Sequence, residues 1–195
     1  MKIGILTCHC ATDYREVLQC YSLQSYLKSV GHEVKVINNK PQQYDANLFT
    51  FFFFRNFLNI AEYVNGRKKE KALSRIMETH LHQTGKVLSC SQLSLVASPF
   101  DVILSGSDHV LNLSFLLLGE GKGKVTPTYF LGFSFNGKRV GYALSFDSVK
   151  YLKNAIKMAS KYNNDFDVIM GREETRVDIF KANGREDAVV VFDQK

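Results

Sequence analysis

Only four cysteines occur in the 195 residues, Cys8, Cys10, Cys20 and Cys90, and they form no even spacing framework. A disulfide-stapled secreted scaffold is therefore excluded. Cys8-His9-Cys10 with Cys20 can be drawn as a zinc site, but structural zinc sites usually pair their ligands with a second matched pair, and none follows. No metal is expected. The opening Met1-Lys2-Ile3 enters a strand pattern directly, without the basic, apolar and small-residue succession of a signal peptide, so a cytoplasmic location is expected. Long apolar runs are also missing. The densest, Leu48 to Phe54, stops at Arg55, well short of the roughly 20 residues a spanning helix needs. It reads as a helix packed on the core, with a location at a membrane surface as the alternative.

Charge of one sign is not concentrated either. Lys and Arg number 25 against 19 acids, a formal charge of +6, which favours phosphorylated or carboxylated ligands but is too small to imply nucleic acid. The one basic cluster, Arg67-Lys68-Lys69-Glu70-Lys71, reads at helical spacing as a solvated face. The first strand is followed by no Gly-x-Gly-x-x-Gly, which argues against a nicotinamide or flavin enzyme. Ser145 lacks the Gly-x-Ser-x-Gly surroundings of an activated nucleophile and reads as a turn former.

What is present is a core. A 45% hydrophobic and 12% aromatic composition over this length predicts one domain, residues 1–195. Lys2 to Thr7 reads as a strand, and Asp13 with Glu16 forms a capping-box-like start to a helix. Val17, Leu18, Tyr21, Leu23, Leu27 and Val30 recur at helical spacing, and Gly31 is placed to end that helix before a strand over Glu33 to Ile37. This strand, helix, strand succession predicts a parallel sheet with helices on both faces, a Rossmann-like α/β arrangement. Residues 47–84 read as helical, with a further helix near Ala97. Phe51 to Phe54 cannot all face one side of a helix, so part of this cluster is expected to meet a second surface, elsewhere in the chain or on a partner such as a second copy.

Phe100-Asp101-Val102-Ile103-Leu104-Ser105 reads as a buried strand that ends abruptly in Gly106-Ser107-Asp108. A strand ending this way delivers polar groups to the sheet edge where ligands bind. Gly119 to Lys124 reads as an exposed loop. Thr128 to Leu131 and Lys138 to Leu144 look like two strands, and Asn136-Gly137 between them suggests a hairpin. Ser145 to Ser148 then opens a helix near 150–162. Phe166 to Met170 and Ala188 to Phe192 read as strands, with a helix over Thr175 to Ala182 between them.

Taken together, several blocks resemble the polysaccharide pyruvyl transferase family. They are Asp13-Tyr14 with Val17 to Gln24, Gly31-His32-Glu33-Val34, the stretch from Phe100 to Asn112, Tyr129-Phe130-Leu131 with Lys138 to Phe146, and Arg172-Glu173. The resemblance implies one lobe of a two-lobed, glycosyltransferase-B-like architecture. It also implies transfer of a pyruvyl group from phosphoenolpyruvate, a donor substrate with no separate cofactor, to hydroxyls of a sugar or lipid-linked oligosaccharide in cell-surface polysaccharide synthesis. That setting implies a peripheral position at the inner face of the membrane. The chain departs from the family pattern in three places. Arg15 stands where a glycine is usual, His109 stands for a glutamine, and Leu111 stands for a tryptophan that would offer a sugar a flat platform. The sequence stops at Lys195, where the family continues into a second lobe that carries donor-binding basic residues and a catalytic histidine. The isolated chain is therefore expected to be weakly active or inactive. A binding or assembly module and a nucleotide-sugar glycosyltransferase lobe are the alternatives.

Ketal formation needs a proton for the donor's methylene carbon, a base for the sugar hydroxyl and cations for carboxylate and phosphate. Asp108 is the candidate to bind or orient a sugar hydroxyl, with backbone N–H groups from Gly106 and Ser107 beside it and Asn112 in the same block; capping the following turn is its other reading. His109 is a candidate acid by residue type, but a lone histidine is more often a packed or surface residue than an acid catalyst. Arg172 either clamps an anionic donor or pairs with Glu173 or Glu174. Asp13 and Tyr14 bring a helix N-terminus to the same region, with simple capping as the other reading of Asp13.

Overall fold

The computed structural model describes residues 1–7, 14–39, 60–87, 89–106, 128–145, 165–182 and 184–191. Six strands, β1 (Lys2–Leu6), β2 (Glu33–Val36), β3 (Val102–Ser105), β4 (Lys138–Leu144), β5 (Val168–Gly171) and β6 (Val189–Val190), form one sheet in the order β2-β1-β3-β4-β5-β6. Every pairing is parallel. Among the described residues the helices are α1 (Tyr14–Ser29), α2 (Ile60–His80), α3 (Cys90–Ala97) and α4 (Glu174–Ala182). This is the expected Rossmann-like α/β arrangement.

Strand alternation divides the core in two. Ile3, Ile5, Val34 and Val36 face α1 and α2, where they pack with Cys20, Leu23, Leu27, Met77 and Leu81. Leu6, Ile37, Ile103, Leu144 and Ile169 face the opposite way, against Leu93, Ala97, Phe130, Val177 and Phe180. Phe130 and Phe180 are fully buried, each contributing about 2–3 kcal/mol by removal from water. Two helices end as their glycines require. Gly31 (φ +91°) donates to Lys28 O while His32 donates to Leu27 O, and Gly184 (φ +88°) donates to Lys181 O while Arg185 donates to Phe180 O. Each pair of bonds is a Schellman closure, in which a left-handed residue turns the chain back over the last helical carbonyls.

A repeated tetrapeptide fixes the amino-terminal edge of the sheet. Phe100-Asp101-Val102-Ile103 precedes and enters β3, and Phe166-Asp167-Val168-Ile169 does the same for β5. The first carboxylate accepts from Lys2 N at 2.6 Å and the second from Arg139 N at 2.7 Å, so each ties its strand to a neighbour. The buried phenylalanines before them anchor the same corners. These aspartates close the edge away from the strand ends that carry the site.

The outer edge of β2 is also covered. Val36 N donates to His82 O at 2.8 Å and Thr84 N donates back to Val36 O at 2.9 Å, and bridges pair Val36 with Gln83 and Asn39 with Val87 in parallel. Gln24, buried on α1, holds this segment. Its Nε2 donates to His82 O at 2.9 Å and its Oε1 accepts from His82 N at 3.0 Å. Gln24→Ala is expected to cost about 2 kcal/mol, because it leaves both backbone groups of a half-buried peptide without their side-chain partner. Urea denaturation of the variant checks this.

The expected hairpin over 128–144 does not form. Thr128–Phe130 is a single 3₁₀ turn, and β4 lies between β3 and β5 as a parallel strand. A type I′ hairpin turn needs positive φ at both central residues, and neither Asn136 nor Gly137 has it. Gly137 is instead a point of close approach: a Cβ there would overlap Asp101 O and the Phe135 ring. Phe51 to Phe54, Gly119 to Lys124, the helix expected near 150–162, and Cys8 and Cys10 lie outside the described residues. Among the described residues no helix is long and apolar enough to cross a membrane.

Arg185, buried after α4, donates from Nε and Nη2 to the two Asp187 carboxylate oxygens at 2.8 and 2.7 Å, and from Nη1 to Phe166 O at 2.7 Å. The hydrogen bonds from Arg185 hold the Asp187 carboxyl below its ordinary value. A carboxyl depressed on folding contributes stability above its unfolded pKa, about 3.9, and loses it as pH falls through the lower folded value. The stability difference between the wild type and Asp187→Asn is therefore expected to be largest above about pH 4 and to shrink with further acidification. Denaturant midpoints measured across that range test the sign.

Candidate functional site at the carboxyl edge of the sheet

All six strands point the same way, so their carboxyl ends form one edge. Thr7 follows β1, Gly106 follows β3, Ser145 follows β4 and Arg172 follows β5. The register Leu6 with Ser105, Ser105 with Gly141 and Leu144 with Gly171 makes these exits neighbours in that order. The chain leaves β1 toward β2 on one side and later returns to β3 on the other. In open α/β sheets such a reversal of strand order is where ligands bind.

Gly106 stands at that reversal, directly after β3. Its N–H donates to Leu6 O at 3.3 Å, and a Cβ built on it would overlap the Tyr142 carbonyl oxygen and lie 2.9 Å from the carbonyl carbon. A side chain is excluded by main-chain atoms, which no rotamer change relieves. The preceding Ser105 is fully buried, and its hydroxyl donates to Tyr129 O at 2.5 Å. That bond ties the end of β3 to the 3₁₀ turn beneath it.

The opposing wall is a bulge in β4. Gly141 pairs with Ile169 and Leu144 with Gly171, so three steps along β4 match two along β5. Ala143 absorbs the extra residue at φ +50°, a left-handed conformation that costs a residue with a Cβ about 1–2 kcal/mol. The bulge lies beside the Gly106 backbone and re-aims the strand just before Ser145. Nothing in the sequence distinguishes this alanine from one in regular strand. Gly141 is the only local signal: its Cβ would stand 2.5 Å from Leu144 Cδ1, the side chain that the bulge turns inward.

The candidate residues divide accordingly. Gly106, Ser145 and Arg172 share the carboxyl edge, on three successive strands. Ser145 is buried, as suits a turn former, and Arg172 is half-buried, with its backbone N–H donating to Leu144 O at 3.3 Å. Tyr14 opens α1 and is exposed, with Lys69 Nζ 5.2 Å from its ring centroid. Ser107, Asp108, His109, Asn112 and Asp13 lie outside the described residues. Among the described residues no group of three or more His, Cys, Asp or Glu is placed to hold a metal ion.

A parallel sheet whose polar strand ends gather beside a strand-order reversal defines an α/β protein of the kind that binds ligand at its carboxyl edge. Residues 16–193 match the family model of polysaccharide pyruvyl transferase, and the chain belongs to that family. No curated protein and no solved structure matches it.

Proposed function

We propose that the chain is a lobe of a pyruvyl transferase that takes phosphoenolpyruvate as donor and two hydroxyls of a sugar, free or lipid-linked, as acceptor. Family membership supports the reaction class, and the lobe is read as one half of a glycosyltransferase-B-like pair. The observation that carries the reading is the carboxyl edge at Gly106, where two backbones meet without a side chain between them and lead directly into Ser107-Asp108. In the reaction the methylene carbon takes up a proton and becomes a methyl group. Two sugar oxygens bond to the adjacent carbon as the phosphate C–O bond breaks. One hydroxyl proton balances the methyl group, and the other leaves with phosphate.

Asp108 orients the acceptor hydroxyl with the Ser107 N–H beside it, while the Gly106 N–H, expected to serve as a second donor, is taken by Leu6 O within the sheet; Arg172 supplies positive charge for the donor. Phosphoenolpyruvate at about 100 times its Kd is expected to stabilise the protein by about 2.7 kcal/mol, seen as a rise in Tm, and uridine diphosphate to leave Tm unchanged. A rise with the nucleotide alone would replace this reading with that of a nucleotide-sugar glycosyltransferase. Asp108→Asn is expected to abolish any effect of a β-galactoside on Tm while leaving the donor's effect in place. An unchanged acceptor response would reduce Asp108 to a structural cap.

A further inference from the structure

On the face of the sheet covered by α1 and α2, the side chains pointing away from the core are not uniformly polar. Leu18 is 59% exposed, and Tyr14, Tyr21 and Ile76 are each exposed by about two-fifths. Two contacts place them on one surface. Lys69 Nζ lies over the Tyr14 ring, and His80 meets the Tyr21 ring edge-on at 6.1 Å between centroids. Leu18 lies between the two tyrosines on α1, and Ile76 lies between Lys69 and His80 on α2. Both helices pack on the same core cluster, so their outward sides form one continuous face.

Among the described side chains of these two helices, most of the exposed charged groups are cations. Lys68, Lys69, Lys71 and Arg75 on α2 are exposed, as is Arg15 on α1. Against them stands Glu78, also exposed, while Glu16 on α1 is buried. Glu62 and Glu70 have side chains outside the described set. Over the whole of α2 the sequence has five cations, Arg67, Lys68, Lys69, Lys71 and Arg75, against Glu62, Glu70 and Glu78.

We propose that this face docks on an anionic phospholipid surface. A few apolar side chains ringed by cations are too little for a stable protein core. They match the chemistry of a lipid interface, where leucine and isoleucine enter the acyl boundary and tyrosine sits at headgroup level. Lysines keep their charge among the phosphates while their stems cover apolar surface. Each cation near an anionic bilayer adds attraction, so several offset the small apolar area. The inference does not depend on the proposed reaction. It uses residues away from the strand ends, apart from Tyr14 at the head of α1.

The test is flotation of the purified protein with vesicles of phosphatidylcholine alone or mixed with phosphatidylglycerol. Binding to the mixed vesicles, little to the neutral ones, and release by salt are expected. Lys68→Glu with Arg75→Glu is expected to weaken binding at least about tenfold, and Leu18→Ser about fivefold. The control is Lys35→Glu with Lys138→Glu. It changes net charge equally at exposed positions off this face and is expected to change binding less than about threefold. Circular dichroism establishes that all variants are folded. Failure to bind mixed vesicles, equal binding to neutral ones, or equal loss in both double variants would overturn the proposal. So would a dimer in sedimentation that Lys68→Glu with Arg75→Glu dissociates, since a second copy would then be the occupant.

Discussion

Gly106→Ala is expected to destabilise the protein by about 3 kcal/mol or more, a fall in Tm of roughly 6–12 °C, although it adds one methyl group. The new carbon would overlap the Tyr142 carbonyl oxygen, and the overlap is between main chains. Relief requires β3 and β4 to separate at their carboxyl ends, which crowds Gly106 against Leu6 on β1 and disturbs the bulge at Ala143. The movement occurs at the proposed site, so loss of donor-induced stabilisation is expected to accompany the lower Tm. A variant with wild-type Tm would mean that the two backbones do not meet as described.

Arg139→Met is expected to cost about 3–5 kcal/mol. The guanidinium donates to Leu131 O at 3.1 Å and to Phe133 O and Phe135 O at 3.0 and 2.8 Å, and it lies 5.4 Å from the centroid of the Phe135 ring. Hydrogen bonds from a charged donor contribute about 1.5–3 kcal/mol each when intact, and partial exposure of Arg139 lowers the sum. Methionine keeps the apolar stem and removes every donor. Arg139→Lys is expected to recover less than half, because one ammonium cannot span three carbonyls that a planar fork reaches. Urea denaturation of the three proteins measures both losses. The effect extends to the site, since the segment that Arg139 pins begins at the turn whose Tyr129 carbonyl holds Ser105.

These two residues show where the sequence was readable. β1, α1, Gly31 and β2 follow from short-range patterns, because hydrophobic period and helix closure are decided within a few residues. β3 and its abrupt end at Gly106 were legible for the same reason. Arg139 and the 128–144 region were not. Asn136-Gly137 carries a hairpin signal, yet the glycine meets a contact with Asp101, a residue 36 positions earlier. Tertiary contact overrode local turn chemistry. The bulge at Ala143 was hidden because alanine carries no mark of a left-handed backbone. The covering of β2 by residues 82–87 was hidden because isolated bridges need no strand-like run. The repeated Phe-Asp-Val-Ile was present as a pattern, but its meaning, an aspartate fastening a neighbouring strand, required the sheet order.

Placing β1 inside the sheet has a consequence for how the chain acquires its structure. The first strand to be made has one neighbour in β2, but the other, β3, begins about a hundred residues later; Lys2 N and the Asp101 carboxylate close that interval. Contacts of such long range are formed late, after a large loss of chain entropy. On the ribosome β1, α1 and β2 must therefore wait as a half-sheet with one bare edge until residue 105 has emerged. That interval is when the nascent chain is most exposed to pairing with another copy of itself. A fragment ending before Val102 is expected to aggregate, and one ending after Ser105 to aggregate less.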